Sequence, residues 1–156
     1  MDISLRREEL TSDAAQGLIK ALNTELSGAY AEAGANHFSL NAAEVAPGQG
    51  GFFIAYLGDR PVGCGAVRLL DPATAELKRM YVEPALRGSG IGRRLVETLE
   101  VEARALGATR LVLETGTRQL NALALYARCG FTRIPLYGEY LASPATSVCL
   151  GKELGS

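Results

Sequence analysis

A charged, strand-like stretch runs directly into a glycine-studded loop and then into a long amphipathic helix, and this succession limits the possible folds more than any other part of the chain. The strand ends at Met80, Tyr81 and Val82, and the loop comprises Arg87, Gly88, Ser89, Gly90, Ile91, Gly92 and Arg93. Its small residues let successive backbone N–H groups turn outward where the helix begins. A helix N-terminus offers unpaired N–H donors and a partial positive charge, which suits a phosphate or pyrophosphate. Arg87 and Arg93 add full positive charges suited to the same anion. Two familiar phosphate loops do not fit. A Walker loop needs Lys followed by Ser or Thr after its last glycine, whereas Gly92 is followed by Arg93 and Arg94. A dinucleotide fingerprint beginning at Gly88 needs its third glycine where Arg93 stands.

The surrounding chain reads as alternating strands and helices. Ile3 to Arg7 is a first strand, and Ser12 can cap a helix from Asp13 to about Ala31 with Leu18, Ile19, Leu22 and Leu26 on one face. The poorly periodic stretch 34–51 is expected to hold a short helix or ordered loop around Asn36 to Glu44. Gly51 to Leu57, Val62 to Leu70 and Ala75 to Val82 read as three consecutive strands. The third carries Glu76, Lys78 and Arg79 although it should lie centrally. Charges there are costly unless paired or solvated by a cleft, so this strand is expected to wall a site. Ile91, Leu95, Leu99, Ala103 and Leu106 form the apolar stripe of a helix over 90–106. Leu111 to Glu114 follows as a short strand suited to parallel pairing. A helix from Arg118 to Arg128, strands Phe131 to Ile134 and Thr146 to Leu150, and the intervening loop Pro135 to Pro144 complete the chain.

Length and charge narrow the function. A chain of 156 residues fits one domain, 1–156, able to bury about 70% of its unfolded surface. With 16 basic and 17 acidic residues the net charge is −1, so no global field draws the protein to nucleic acid or membrane. Cys64, Cys129 and Cys149 are scattered and His37 is the only histidine, so no metal is expected and the cysteines read as packing residues of a reducing compartment. The first residues contain no apolar signal core, and no apolar run approaches the ~18 residues of a membrane span. A cytoplasmic protein is the expectation.

Arg87-x-x-Gly90-x-Gly92 resembles the Arg/Gln-x-x-Gly-x-Gly/Ala signature of the GCN5-related N-acetyltransferase (GNAT) superfamily. The setting strengthens the likeness: a strand ending Met80-Tyr81-Val82, the loop, a long helix, a short strand, then a helix ending Leu125-Tyr126 before Gly130-Phe131. The order of elements along essentially the whole chain is also similar. The resemblance implies an α/β single-domain GNAT fold: a mixed, mostly antiparallel sheet of about seven strands with a splayed parallel pair, flanked by helices. It further implies acetyl-coenzyme A as co-substrate, held by Met80, Tyr81, Val82, residues Arg87 to Arg93, Gln119 and Tyr126. Gln119 takes the position where the family often has Asn, a longer amide with the same donor and acceptor.

On the same resemblance Tyr126 stands near the thioester sulfur and assists departure of the thiolate, and Glu76 matches the general base of one branch of the family. Taking a proton from an alkylamine of pKa ~10.4 with a carboxylate near ~4.3 is a mismatch of about 8 kcal/mol, so Glu76 needs a shifted environment or a water. Pairing of Glu76 with Lys78 or Arg68 across neighbouring strands is the competing reading. Arg68, Glu76, Tyr137, Glu139 and Tyr140 are the candidate contacts for the acceptor, a primary amine on a small molecule or peptide. Dimers are common in the family. An acyl-coenzyme A sensor without turnover, or transfer of another acyl group, is the alternative.

Overall fold

The computed structural model describes residues 2–29 and 40–155. His37 and the first part of the short helix or loop expected from Asn36 to Glu44 lie outside the described residues. The rest of that stretch is a 3₁₀ turn, Ala42–Val45, closed by a capping box between Asn41 and Glu44.

Among the described residues, seven strands form one sheet: β1 (Ile3–Arg7), β2 (Gly50–Leu57), β3 (Arg60–Asp71), β4 (Thr74–Val82), β5 (Arg110–Gly116), β6 (Thr132–Ile134) and β7 (Ser147–Glu153). Their order across the sheet is β1-β2-β3-β4-β5-β7-β6. Every neighbouring pair is antiparallel except β4 and β5, which run parallel. Among the described residues, three helices cover the faces: α1 (Asp13–Ala29), α2 (Ile91–Ala105) and α3 (Leu120–Arg128). The fold is the α/β mixed sheet expected from the sequence, parallel pair included. Among the described residues no helix is long and apolar enough to cross a membrane.

Alternation along β2 explains how both faces are used. Phe52, Ile54 and Tyr56 join Ala15 and Leu18 of α1 in one cluster, whereas Phe53 faces a second cluster with Val96, Leu99 and Ala103 of α2. That second cluster runs on through Leu77 of β4 and Leu111 and Leu113 of β5 to Tyr126 of α3. Successive strand residues point to opposite faces, so a central strand covered on both sides must be apolar throughout, as β2 is. Ser12 caps α1 as expected, its hydroxyl accepting from the amide of Ala15 at 3.1 Å.

Several boundaries differ from the sequence reading by one to three residues, and two differences have a clear physical reason. β7 continues to Glu153 because β5 pairs with it along its whole length, from Arg110↔Glu153 to Gly116↔Ser147. The 135–144 loop contains a 3₁₀ turn, Gly138–Ala142, which buries Tyr140. Short turns of this kind carry no periodic signal, which is why the segment reads as irregular.

Candidate active site

Strands β4 and β5 pair only from Thr74↔Arg110 to Leu77↔Leu113. Beyond Leu77 they part company. β5 stays with β7 through Glu114↔Cys149 and Thr115↔Val148, while β4 stays with β3 through Cys64↔Tyr81 and Gly63↔Val82. A bulge in β4 accompanies the parting: the β3–β4 register shifts between Cys64 and Ala66, and Arg79 takes a left-handed φ of 57°. Opposite it, a Cβ on Gly65 would come within 2.5 Å of Met80 Sδ and 2.8 Å of Leu99 Cδ1, so glycine there leaves space for those two side chains. The cleft so formed is a cavity of about 1070 Å³, walled by Met80, Tyr81 and Val82 on one side, Glu114 and Thr115 on the other, and Tyr126.

The glycine loop closes one end of this cleft. Gly90 adopts φ 94°, where side chains are disfavoured, and immediately precedes α2. A Cβ there would meet nothing within 4 Å, so the space before the helix N-terminus is open. Gly92 is constrained differently, since a Cβ would come within 2.9 Å of Leu125 of α3. Gly88, Gly90, Gly92, Arg87 and Arg93 all border the cavity. The Ile91 side chain is instead in the core, and Ser89 donates its hydroxyl to the carbonyl of Leu86, which leaves their backbone amides as the groups able to face a ligand. Arg87 donates from Nε to the Val82 carbonyl at 2.9 Å and from Nη2 to Glu25 of α1 at 2.7 Å. Gln119, just before α3, and Asn121 both border the cavity. From the sequence only Gln119 is expected there, because helical register alone cannot say how wide the cleft opens.

Tyr126 is 5% exposed and packs edge-on against Phe131 with ring centroids 5.8 Å apart. Burial, reinforced by Cys129 and Glu114, pushes its phenol well above the usual tyrosine range. It therefore stays protonated and able to donate a hydrogen bond.

The acceptor-side candidates meet in one charged network. Arg68 of β3 lies opposite Glu76 of β4 and binds it through Nε at 2.9 Å. The same guanidinium pairs with Glu44 of the first 3₁₀ turn and, at 3.4 Å, with Glu139 of the second. Glu139 also pairs with Lys78 at 3.3 Å. Glu76 is 1% exposed, and its other oxygen accepts from the Tyr137 hydroxyl at 2.6 Å. Tyr137 and Tyr140 stack edge to face at 5.2 Å. Burial first, and then the Glu76 carboxylate, push both phenols far above their ordinary range. Burial also lowers Lys78, partly offset by Glu76 and Glu139. Glu76 thus sits within the network, outside the cavity wall, and its pairing with Arg68 is the cross-strand arrangement weighed from the sequence. Of the five acceptor candidates only Tyr140 borders the cavity.

One carboxylate on the cavity wall was missed. Glu114 belongs to β5, where an acidic residue ends an otherwise apolar run. The rule that singled out Glu76, a charge in a central strand, applied to it equally. Its carboxylate accepts from the buried Ser147 hydroxyl at 2.6 Å, and burial pushes its pKa up to about 7.

Comparison with known proteins bears on this cleft. The model of the acetyltransferase (GNAT) family matches residues 15–131. The chain belongs to the GNAT acetyltransferase family. Membership makes it an N-acetyltransferase by family. An IAA acetyltransferase of Azospirillum brasilense is 38% identical over 144 residues, covering 92% of this chain and 93% of that protein. The crystal structure of a Klebsiella pneumoniae protein assigned to the acyl-CoA N-acyltransferases aligns with a TM-score of 0.84 at 29% identity, over 97% of each chain. A GNAT acetyltransferase of Elizabethkingia anophelis, solved with acetyl-CoA bound, shares the fold at 18% identity with a TM-score of 0.64, over 97% of this chain and 98% of its own.

Proposed function

We propose that this GNAT protein transfers an acetyl group from acetyl-CoA to a primary amine by direct attack within a ternary complex. The observation that carries the proposal is the opening between β4 and β5, which runs from the Lys78–Val82 edge to the N-terminus of α2. An unpaired strand edge can pair with the amides of an extended pantetheine arm as an added strand would. The amides of residues 88–93, with Arg87 and Arg93, can hold the pyrophosphate. Gln119 and Asn121 offer further polar contacts along α3. Main-chain N–H groups near the bulge at Arg79 and Met80 are suited to a tetrahedral oxyanion. The Tyr126 hydroxyl can donate to the departing thiolate.

A covalent acetyl-enzyme has no support from the cysteines. Burial pushes the Cys64 thiol up to about 12 and the Cys149 thiol up to about 11, and it raises the Cys129 thiol as well, so none is biased toward a thiolate. The acceptor is read as an amine on a small molecule or peptide, meeting the cleft on the side of Tyr140. The test is thiol release from acetyl-CoA across a diverse amine library. Release with a subset of amines is expected. Binding of acetyl-CoA with no release for any amine would replace the enzyme reading with that of an acyl-CoA sensor.

A further inference from the structure

The chain's lysines are Lys20, Lys78 and Lys152, and they sit in unlike places. Lys20 is exposed on α1. Lys152 of β7 donates to Glu100 at 2.7 Å and to the Cys129 carbonyl at 2.8 Å. Lys78 is buried, yet it borders the cleft. It is the first β4 residue past the last pairing with β5, Leu77↔Leu113, and it directly precedes the bulged Arg79. Its ammonium faces Glu139 at 3.3 Å and lies 6.0 Å from the centre of the Tyr140 ring, which borders the same cavity. A primary amine of the chain itself thus stands beside the main-chain groups suited to a thioester carbonyl. On the acetyltransferase reading, we propose that Lys78 accepts an acetyl group from acetyl-CoA bound in its own cleft, so that the protein acetylates itself when no external amine is supplied.

The surroundings of Lys78 suit an attacking nitrogen. Burial lowers its pKa, and Arg68 pushes the same way, against Glu76 and Glu139. A lowered pKa raises the share of neutral amine, the form that attacks. The stem is flexible, and Glu139 is about one-third exposed (35%), so the pair with it is screened by solvent and can open. The protons and bonds balance without a further reactant. The Lys78 ammonium passes one proton to Glu139, which releases it to water. The freed lone pair on Nζ forms the C–N bond to the thioester carbonyl carbon. The tetrahedral adduct loses a second proton as the C–S bond breaks, and the departing thiolate takes up one. The products are acetyl-lysine and the free thiol.

The experiment incubates the parent protein with acetyl-CoA and no amine, and follows acetylation of Lys20, Lys78 and Lys152 by peptide mass spectrometry. Ordinary chemical acetylation follows exposure and favours Lys20. Transfer inside the cleft favours Lys78, which we expect to react at least about tenfold faster than Lys20, at a rate independent of protein concentration. The preference should vanish when the chain is unfolded in denaturant. An excess of coenzyme A, which fills the cleft without bringing a thioester, should protect Lys78 and leave Lys20 unchanged. Lys78 reacting no faster than Lys20, keeping its rate in excess coenzyme A, or reacting faster as protein concentration rises would each overturn the proposal. Protein that passes the acetyl group to a library amine yet leaves Lys78 unmodified defeats self-acetylation alone. Protein that does not bind acetyl-CoA by calorimetry defeats the acetyltransferase reading, and the proposal with it.

Discussion

On the loop side of the cleft lie the unpaired edge of β4 beyond Leu77 and the start of α2, where Gly88, Gly90 and Gly92 have no side chains to cover the main chain. On the network side lie charged side chains drawn from separate segments: Glu44, Arg68, Glu76 with Lys78, and Glu139. A main-chain site needs particular glycines at particular spacings and little else. A side-chain network needs each member to find the others across long sequence separations, and breaking it exposes the cost of burying charge. The two sides should therefore fail differently: the loop side by losing ligand while staying folded, the network side by losing stability.

The largest expected effect tests the network side. Arg68→Met leaves Glu76 buried with its main cationic partner gone, and breaking a buried pair from one side costs about 3–5 kcal/mol. The drop should appear as a lower denaturant midpoint with an unchanged slope. A loss below about 1 kcal/mol would mean that the tyrosine hydroxyls suffice for Glu76, and the network would lose its structural role.

Gly90→Asp probes the loop side. A side chain at φ 94° costs about 1–2 kcal/mol of strain, while a carboxylate placed in the open space before α2 repels a pyrophosphate. Acetyl-CoA affinity should fall at least about 100-fold by calorimetry, well beyond what the strain alone does to the fold. Parent-like binding would remove the phosphate role from the loop and erase the contrast between the two sides.

This contrast also governs what could be read in the sequence. The loop depends on local spacing, so Arg87, Gly90 and Gly92 announced it, and the strand, helix and strand around it fixed the parallel pair. The bulge at Arg79 gave no signal, because only the register against Gly65 reveals it. Glu76 was visible as a misplaced charge, yet its partners could not be ranked: Arg68 lies opposite it only once β3 and β4 are in register. Glu44 and Glu139 come from short turns without periodicity, and nothing local in them points to Arg68. Glu114 was overlooked although its strand is central, because an acidic residue at the end of an apolar run reads equally well as the edge of a turn.

Tyr126→Phe separates chemistry from binding within the loop side. The ring packs on Phe131 and fills the same space without its hydroxyl, so the fold and acetyl-CoA affinity should be kept. Burial makes the phenol a poor acid but a dependable donor. Turnover should fall about tenfold, the order expected for one lost hydrogen bond to a developing charge. Unchanged turnover would take the thiolate role from Tyr126 and leave the departing sulfur to water.

The smallest effect joins the two sides, because Arg87 of the loop is held by Glu25 of α1 at 2.7 Å, and Glu25 itself borders the cavity. A phosphate arriving at Arg87 must share it with, or take it from, that carboxylate. Both side chains are about one-third exposed (32% and 31%), so the pair is screened and worth at most about 1 kcal/mol. Glu25→Gln removes the competing charge without shortening the side chain. Acetyl-CoA should then bind tighter by about two- to fivefold, with the gain shrinking as salt rises. Weaker binding would mean instead that Glu25 orients Arg87 for the ligand. α1 would then belong to the donor site, and the division between a main-chain side and a side-chain side would have to be redrawn.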